Sequence, residues 1–488
     1  MVKIINVLEK FIEIISPQTA CKREAWRQQY HELRNYDGGS NGRLNSAWRI
    51  HNESGENTDK AYRDIIRARA RDLERNSDLA RSVISAYRRN VIGRGFTLQA
   101  KTDNPEINEQ LEKLWHEWNK AQNCDVTGTQ SLNEMLRMAV QRKKVDGGIL
   151  FHKCWTDGGI LPFKLQALEV DELCANQVKP STKGNKVVGG IEYNAYNKPV
   201  GYWISQYSID GYEKTEPIFY PASEIIFLFS KERPSQCREM SDLAPTITRI
   251  RDCNEFITAV SVKERVAACL AVFIKKAIPS VSTFGRNDKT AGEIKTYAGK
   301  SLSPGMIMEL NPGDEVQPVN PGNSGEDSTQ FLKTQQRIIG AGQGLSYEAT
   351  SRDMSETNYS SARQSGIEDE LTYNEEIELI KDRLLSEIYE SFVYACYLSG
   401  MVIMPNFISN KRNYTNHNFV ASPKKWIDPL KEANANKTAL ETGQKTFQQI
   451  SAEMGRDWKQ QIDDMAAVSE YAKLKKVQIG GVTGGSEV

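Results

Sequence analysis

The sequence of 488 residues predicts an α+β protein, in which a body of mixed helices and short strands precedes a mainly helical part. Three observations predict this. Apolar residues recur every four positions over residues 79–91, short apolar stretches separated by Pro, Gly and Asn recur over residues 149–229, and helical patterns return from residue 241. The length corresponds to about two to four compact units.

The first sixty residues predict a helix followed by a flexible arm. Residues 1–16 are apolar, but Lys3 and Glu9 interrupt them. They therefore predict an amphipathic helix that docks on a neighbour or on the body, and not a signal peptide. Residues 36–57 are rich in Gly, Ser and Asn, a composition typical of a flexible connection.

Residues 61–100 are basic and contain a capped helix. Ser77 is a suitable N-cap for a helix that ends at Gly93, and residues 96–100 alternate as a strand does. From position 67 onward the segment contains eight arginines: Arg67, Arg69, Arg71, Arg75, Arg81, Arg88, Arg89 and Arg94. They could bind phosphate or pair with acids such as Asp64, and the sequence leaves both possibilities open.

Helices and strands follow in the next part of the chain. The apolar periodicity predicts amphipathic helices at residues 111–118 and 132–144. Beyond them, short apolar stretches bounded by turn residues predict five strands, at residues 149–155, 163–168, 187–193, 200–204 and 225–229.

Two helices then flank an insert of different composition. Residues 241–276 and 329–339 have helical patterns, and the glycines of residues 340–344 predict a helix-breaking turn rather than a phosphate-binding loop. Between the helices, residues 277–326 are rich in Pro, Gly, Ser, Thr and Asn and contain short strands such as 306–310. The insert is positively charged before residue 300 and negatively charged after it.

A long acidic helix is predicted over residues 358–398. The uncharged stretch 391–410 contains Gly400 and Pro405 among several Ser and Asn residues. These residues favour a buried helix end followed by a strand over a membrane span. The tail from Gly480 is predicted to be mobile.

Composition and motifs exclude several classes of function. The 63 Lys and Arg residues balance 63 Asp and Glu residues, which argues against a nucleic-acid binder held by bulk positive charge. The eight cysteines form no CxxC pair, and only His152 lies near one of them, Cys154, so scattered thiols in a reducing cytoplasm are expected. No nucleotide-binding or hydrolase motif occurs, so no catalytic residue, metal or cofactor is predicted. These observations indicate a non-enzymatic assembly protein.

Several separated strings of residues carry a family resemblance. They lie at residues 71–76 and 90–96, 165–171, 190–192 and 199–203, 229–236, 344–348 and 358–363, and 426–433. The most specific is Gly344-Leu-Ser-Tyr-Glu348 followed by Asn358-Tyr-Ser-Ser-Ala-Arg363. Together, in this order, they resemble the lambda-type family of tailed-phage portal proteins over about three quarters of the chain.

Two positions depart from the family pattern. The family usually has Gly after the arginine at position 238, where this chain has Glu239, and its Asp-Gly-Glu is Asp146-Gly-Gly148 here. At these two positions the resemblance is therefore a weaker guide to the local shape of the connector and the loop than it is to the fold as a whole.

The resemblance implies a portal fold assembled as a ring of twelve copies at one vertex of the virion capsid, made in the cytoplasm of a bacterial host. Double-stranded DNA would be packaged through the ring by the terminase large subunit, held transiently without sequence specificity, and ejected at infection. The ring would also nucleate assembly with major capsid and scaffold proteins, and later join head-completion or tail-connector proteins. No membrane is involved.

The resemblance also assigns the predicted elements to parts of a portal subunit. They are the N-terminal helix and arm (1–60), a mixed α/β wing (61–240 and 363–430), two stem helices (241–276 and 327–345), a small α/β clip (277–326), a tunnel loop (346–362), and a mainly helical crown with a mobile tail (431–488).

Two groups of site residues follow from this assignment. In the tunnel loop, Arg352, Asn358 and Arg363 are candidates to approach DNA phosphates, although residues 358–363 could instead cap and pack the long helix. On the clip, the candidates for the surface that meets terminase or head-completion proteins are Arg286, Lys289, Lys295, Lys300 and Glu315. The separated charges of the clip could pair head to tail between neighbouring subunits, so exchanging the charges of Lys295 and Glu315 is expected to impair ring closure.

Two other classes of protein stay open at this point. One is another structural virion protein, such as a capsid subunit, and the other is a nucleic-acid-processing enzyme. Two long helices that bracket a strand-rich insert favour the portal over the capsid subunit, and the absence of a carboxylate and histidine cluster from the sequence counts against the enzyme.

Overall fold

The computed structural model describes residues 12, 14–32, 47, 52–174, 178–211, 213–269, 273–274, 308–309, 325–421, 429–456, 458–475 and 477. The chain divides into two units, Met1–Ser54 and Gly55–Val488. In the first unit, helix α1 spans Pro17–Glu32. Most of the helix predicted over residues 1–16, and most of the arm, lie outside the described residues.

The second unit contains the remaining helices in two groups. The first group is α2 (Gly55–Lys60), α3 (Arg63–Asn76), α4 (Asp78–Tyr87), a π-turn (Arg88–Ile92), α5 (Pro105–Trp118), α6 (Ala121–Cys124) and α7 (Leu132–Asp146). The second group is α8 (Ile247–Cys269), α9 (Gly325–Gly342), α10 (Tyr347–Ser351), α11 (Tyr359–Ile380), a second π-turn (Lys381–Leu385), α12 (Ser386–Ser399), α13 (Lys411–Tyr414), α14 (Pro429–Glu441), α15 (Phe447–Glu453) and α16 (Trp458–Lys475).

The described strands form small sheets, mostly antiparallel. The strands are β1 (Thr97–Ala100), β2 (Gly148–Cys154), β3 (Lys164–Leu168), β4 (Lys186–Val188), β5 (Ile191–Tyr193), β6 (Pro199–Ile204), β7 (Ile218–Pro221), β8 (Ile225–Phe229), β9 (Phe273–Ile274), β10 (Met308–Glu309) and β11 (His417–Val420). Strand β2 lies between β3 and β8, strands β4 to β7 form a meander, β1 pairs with β11, and β9 pairs with β10 in parallel.

One large core joins helices α3 to α13 to the sheet of β2, β3 and β8. At its centre Trp118 stacks on Phe163 at a centroid distance of 5.4 Å, and its indole N–H donates to the Phe163 carbonyl at 2.9 Å. Trp115 packs edge to face against Phe392 of α12 at 5.0 Å. These rings bury a large apolar area while the polar indole atom keeps a partner, so α5 and α12 hold each other across the core.

Several predicted elements are confirmed with small shifts, and two helices differ in their bounds. Strands β2, β3, β6 and β8, helix α7 and the N-cap of Ser77 lie where the sequence places them. The helix predicted over residues 241–276 begins only at Ile247, because Leu243 to Thr246 form a turn that contains Pro245, and Phe273–Ile274 is a strand. The long acidic helix is interrupted by the π-turn Lys381–Leu385.

Other expectations were wrong. Residues 187–193 form two strands, not one, because Gly189 and Gly190 have positive φ angles of 57° and 82° and turn the chain. Residues 55–57, expected in the flexible arm, begin helix α2, where the Gly55 amide donates to Ser235 Oγ at 2.8 Å. The strand expected within residues 401–410 is a turn, and the strand follows at His417–Val420.

Gly147 is expected to tolerate no side chain. It ends α7 with a φ of 91°, and a Cβ atom there would lie 2.4 Å from the backbone carbon of Met240. Gly147→Ala should therefore lower the free energy of unfolding by about 2–4 kcal/mol, because backbone must move. Gly400 is a matched control, since it ends α12 at a φ of 66° with open space around it. Gly400→Ala should cost only about 1–2 kcal/mol in urea unfolding, and equal costs for the two variants would contradict the steric account.

Candidate functional site

The loop that connects α9 to α11 is the candidate site, and hydrogen bonds fix its first half. Ser346 caps α10, and both its amide and its hydroxyl donate to the carboxylate of Asp369 on α11, at 2.6 and 2.7 Å. Burial raises the pKa of Asp369. Ser82 Oγ donates to the Thr350 carbonyl at 2.5 Å, which attaches α10 to α4. The second half of the loop is therefore presented from a rigid base.

Arg352 is the residue at which the loop leaves α10. It is exposed and has a left-handed conformation, with a φ of 60°, while its amide donates to the Glu348 carbonyl at 2.9 Å. Its guanidinium lies close enough to Arg89 to affect it: burial and the charge of Arg352 together lower the pKa of Arg89. Two positive side chains from different segments thus approach each other at the loop.

Asn358 and Arg363 have different surroundings. Asn358 is the N-cap of α11: its side-chain oxygen accepts from the Ser361 amide at 2.8 Å, and its own amide donates to Ser361 Oγ at 3.1 Å. The reciprocal bonds of this capping box support the structural interpretation of residues 358–363. Arg363 is exposed in the second turn of α11. Arg352 and Arg363 are therefore the exposed cations of this segment, whereas Asn358 is engaged in the cap.

A buried cluster of four charges lies beneath the loop. Lys143 and Lys144 of α7 each contact Asp242 and Glu376, with N–O distances between 2.8 and 3.1 Å. Burial alone would raise the pKa of Asp242, but the two lysines outweigh burial and lower it. Tyr87 completes the cluster, because its ring lies 3.7 Å from Lys144 Nζ and its hydroxyl donates to the Gln343 carbonyl at 2.5 Å. Sequence reasoning missed this cluster, since two adjacent lysines at a helix end usually face solvent.

The arginine-rich segment divides into paired and unpaired members. Arg67 contacts Asp64, Asp171 and the fully buried Glu239, at 2.6, 3.1 and 3.8 Å. Arg71 contacts Asp146, Asp171 and Glu169, at 2.6, 2.5 and 3.3 Å. Pairing with acids is therefore the role of these two. Within the described part of the chain, five other arginines of the segment form no ion pair: Arg69, Arg75, Arg81, Arg88 and Arg89.

One departure from the family pattern, Glu239, takes part in this network, and so does Asp146, which lies two residues before the other departure at Gly148. Glu239 accepts two hydrogen bonds from the buried Arg238, at 2.7 and 2.9 Å. Asp146 accepts from Arg71 at 2.6 Å and from Arg142 at 3.1 Å. The connection before α8 is thus held to α3 and α7 by buried charge pairs.

The clip candidates Arg286, Lys289, Lys295, Lys300 and Glu315 lie outside the described residues. His152 Nδ1 and Cys154 Sγ are 3.3 Å apart, and burial raises the pKa of the Cys154 thiol to about 11. Among the residues that the structure describes, no three His, Cys, Asp or Glu side chains are placed to hold a metal ion. The helices within those residues include none that is both long and apolar enough to cross a membrane.

The family model "Phage portal protein, lambda family" matches residues 41–376, which is more than half of the chain. The chain belongs to this family. It is a phage portal protein, and as such a component of the virion. The matched range includes the paired arginines, the buried charge cluster and the loop around Arg352.

Relatives named as portal proteins cover most of the chain. The probable portal protein of Halomonas phage phiHAP-1 is 24% identical over 85% of this chain and 82% of its own length. Portal protein B of Escherichia phage lambda is 21% identical over 88% of each chain. Among solved structures, a chain in the virion of a native gene transfer agent particle has a TM-score of 0.39 at 12% identity, over 79% of this portal protein and 93% of that chain.

Proposed function

We propose that this portal protein assembles into a ring of twelve copies at one vertex of the capsid, and that double-stranded DNA passes through the ring. In this proposal the terminase large subunit packages the DNA, and the same ring releases it at infection. Family membership over residues 41–376 is the observation that carries the proposal.

In this proposal helices α8 and α9 are the stem. They run antiparallel: Arg249 Nη1 donates to Gln335 Oε1 at 3.1 Å, and Phe256 packs on Phe331 at a centroid distance of 4.8 Å. Phe331 and Ile257 stay about half exposed in the single subunit. Exposed apolar residues on a helix pair fit burial by a neighbouring stem in a ring.

The remaining parts follow the same assignment. Residues 61–240 and 363–430 form the wing, and residues 431–488 form the crown with its tail. The insert 277–326 forms the clip, which meets terminase and later the head-completion or tail-connector proteins. The subunit, made in the host cytoplasm, nucleates assembly with major capsid and scaffold proteins. It carries out no reaction and needs no cofactor.

The loop around Arg352 is the proposed DNA-facing element. A conduit that passes a polyanion in both directions cannot be lined with dense positive charge, because every phosphate contact adds affinity and friction. The chain has no net charge, and its exposed cations at this loop are few. Arg352 and Arg363 on a firmly anchored loop would guide DNA without holding it.

Replacing Arg352 tests the contact with DNA. Arg352→Ala rings are expected to package DNA about threefold to tenfold more slowly, corresponding to the loss of about 1 kcal/mol from an exposed charge contact. The measurement is the packaging rate in a defined reaction with terminase, after negative-stain images show rings with a central hole. Arg412→Ala removes another exposed arginine and is the control. Packaging at the parental rate by Arg352→Ala would remove this residue from the proposal, and an absence of rings from the parental protein would refute the proposal itself.

A further inference from the structure

Three arginines form a positively charged surface on the second unit. Arg81 lies on α4, Arg88 begins the π-turn, and Arg137 lies on α7; these three residues are called the arginine face. Arg81 and Arg88 lie seven residues apart on the continuous run of α4 and the π-turn, which places them on one side of it. Arg137 Nη2 donates to the carbonyl of Gly93, directly after the π-turn, at 2.7 Å. In keeping with this arrangement, burial and the charges of Arg81 and Arg137 lower the pKa of Arg88. Their mutual repulsion in the isolated subunit favours an acidic partner.

No carboxylate of the described part of the subunit forms an ion pair with this face, although the charge of Glu134, three residues before Arg137 on α7, interacts with Arg137. The acid that acts on Arg88 is Glu74, but Glu74 already accepts hydrogen bonds from Arg142 and Gln141. The Nε atom of Arg88 is buried and has no hydrogen-bond partner within the described residues. Arg81 is exposed, whereas Arg88 and Arg137 are half-buried. An unsatisfied buried donor at such a partly exposed surface is costly unless something covers it.

Helix α11 and the π-turn that follows it have a complementary face. Glu368, Glu375 and Asp382 are exposed at intervals of seven residues, which places them on one side of the helix; they are called the acidic face. Leu371, 58% exposed, lies between Glu368 and Glu375, and Ile367, 46% exposed, directly precedes Glu368 at the edge of this face. Glu368 accepts a hydrogen bond from Gln364 at 3.1 Å, and none of the three acids forms an ion pair with a described residue.

The two faces cannot neutralise each other within one subunit. Helix α11 packs its opposite side on the core, where Tyr373 meets Tyr87 edge to face at 5.5 Å, and Ile377 and Ile380 are buried. At 100° per residue, the acidic face points away from this packed side. The acids therefore point away from Tyr87 and from the π-turn that begins with Arg88 directly after it.

We infer that the acidic face of one subunit docks on the arginine face of the next copy of this chain. The inference rests on the proposed ring, in which each subunit uses two different surfaces to contact its two neighbours. Charge complementarity indicates that the partner of each face is a second copy of this chain. Each face carries three charges that form no ion pair within the described part of their own subunit. The apolar side chains of Leu371 and Ile367 also favour a protein surface over a phosphate backbone, which would leave them in water.

Charge reversal on each face tests the inference. Arg81→Glu/Arg88→Glu makes the arginine face acidic, and Glu375→Arg/Asp382→Arg makes the acidic face basic. Each variant alone should lower the fraction of chains in rings about tenfold in native mass spectrometry, because like charges then meet at every interface. An equimolar mixture of the two should recover rings in which the variants alternate, since every interface then joins opposite charges.

A matched control separates this effect from a change of net charge. Lys113→Glu/Lys120→Glu makes the same change in net charge at two exposed lysines of another surface, and it should assemble as the parental protein does. Circular dichroism and urea unfolding establish that each variant folds. If parental protein forms rings and the arginine variant does so equally well, the inference is wrong while the proposed ring stands. If that variant forms normal rings but loses DNA retention, the arginine face binds nucleic acid instead.

Discussion

Glu376→Gln is expected to lower the free energy of unfolding by about 3–5 kcal/mol, because it removes one carboxylate from a buried four-charge cluster. Lys143 and Lys144, with side chains only 2% and 8% exposed, would then share the single carboxylate of Asp242. Glutamine keeps the shape of the side chain, so the loss reports on charge and not on packing. Urea unfolding at matched protein concentration measures it.

Two further variants make this prediction specific. Glu378→Gln lies two residues away on the same helix, where Glu378 is 62% exposed and pairs with Lys381, so this variant should cost at most about 1 kcal/mol. Adding Lys143→Met to Glu376→Gln removes the unpaired cation and should recover part of the loss. A cost for Glu376→Gln no larger than that of Glu378→Gln would contradict the buried-cluster account.

Glu239→Gln is the second substitution with a large expected effect, again about 3–5 kcal/mol. Glu239 is completely buried, accepts both hydrogen bonds of the Arg238 fork and lies 3.8 Å from Arg67. Its neutralisation leaves two buried arginines with less than their compensating charge. The loss should appear as a lower midpoint of urea unfolding.

The control for Glu239→Gln is a solvent-exposed arginine–glutamate pair with the same N–O distance. Arg251 and Glu255 are 2.7 Å apart on α8 with both side chains more than half exposed. Glu255→Gln should therefore change the free energy of unfolding by at most about 1 kcal/mol. Equal losses in the free energy of unfolding for Glu239→Gln and Glu255→Gln would show that burial does not determine how much such an ion pair contributes to stability.

Two groups of buried charges, the four-charge cluster and Glu239 with its arginine partners, lie where a portal subunit needs rigidity. The four-charge cluster joins α7 to α11 and to Asp242 in the segment before α8, and Glu239 lies in that same segment. The loop with Arg352 begins at the end of α9, and the Gln343 amide group donates to the Asp242 carbonyl and to Thr246 Oγ1, each at 3.0 Å. In the proposed ring, the base of the stem and the DNA-facing loop are thus fixed to the wing by the same residues.

Features that depend on neighbours in sequence were predictable. Ser77 accepts from the Ala80 amide at 3.3 Å as an N-cap, and Asn358 forms the capping box expected of its string. Strands β2, β3 and β8 follow from apolar runs bounded by turn residues. Helix α3 had no prediction, because arginines occupy positions of its buried side; Arg63 and Arg67 are 6% and 4% exposed.

The sequence alone determined the order of most elements, their caps and the portal family, since these depend on local patterns and on strings of residues in a fixed order. It could not determine which of 126 formal charges are paired. Lys143 finds its partners Asp242 and Glu376 at separations of 99 and 233 residues, and Arg137 of α7 reaches the carbonyl of Gly93, directly after the π-turn that begins with Arg88, at 2.7 Å. The contribution of a charged group to stability depends on its distance to other charges and on its burial, and only the tertiary structure sets both.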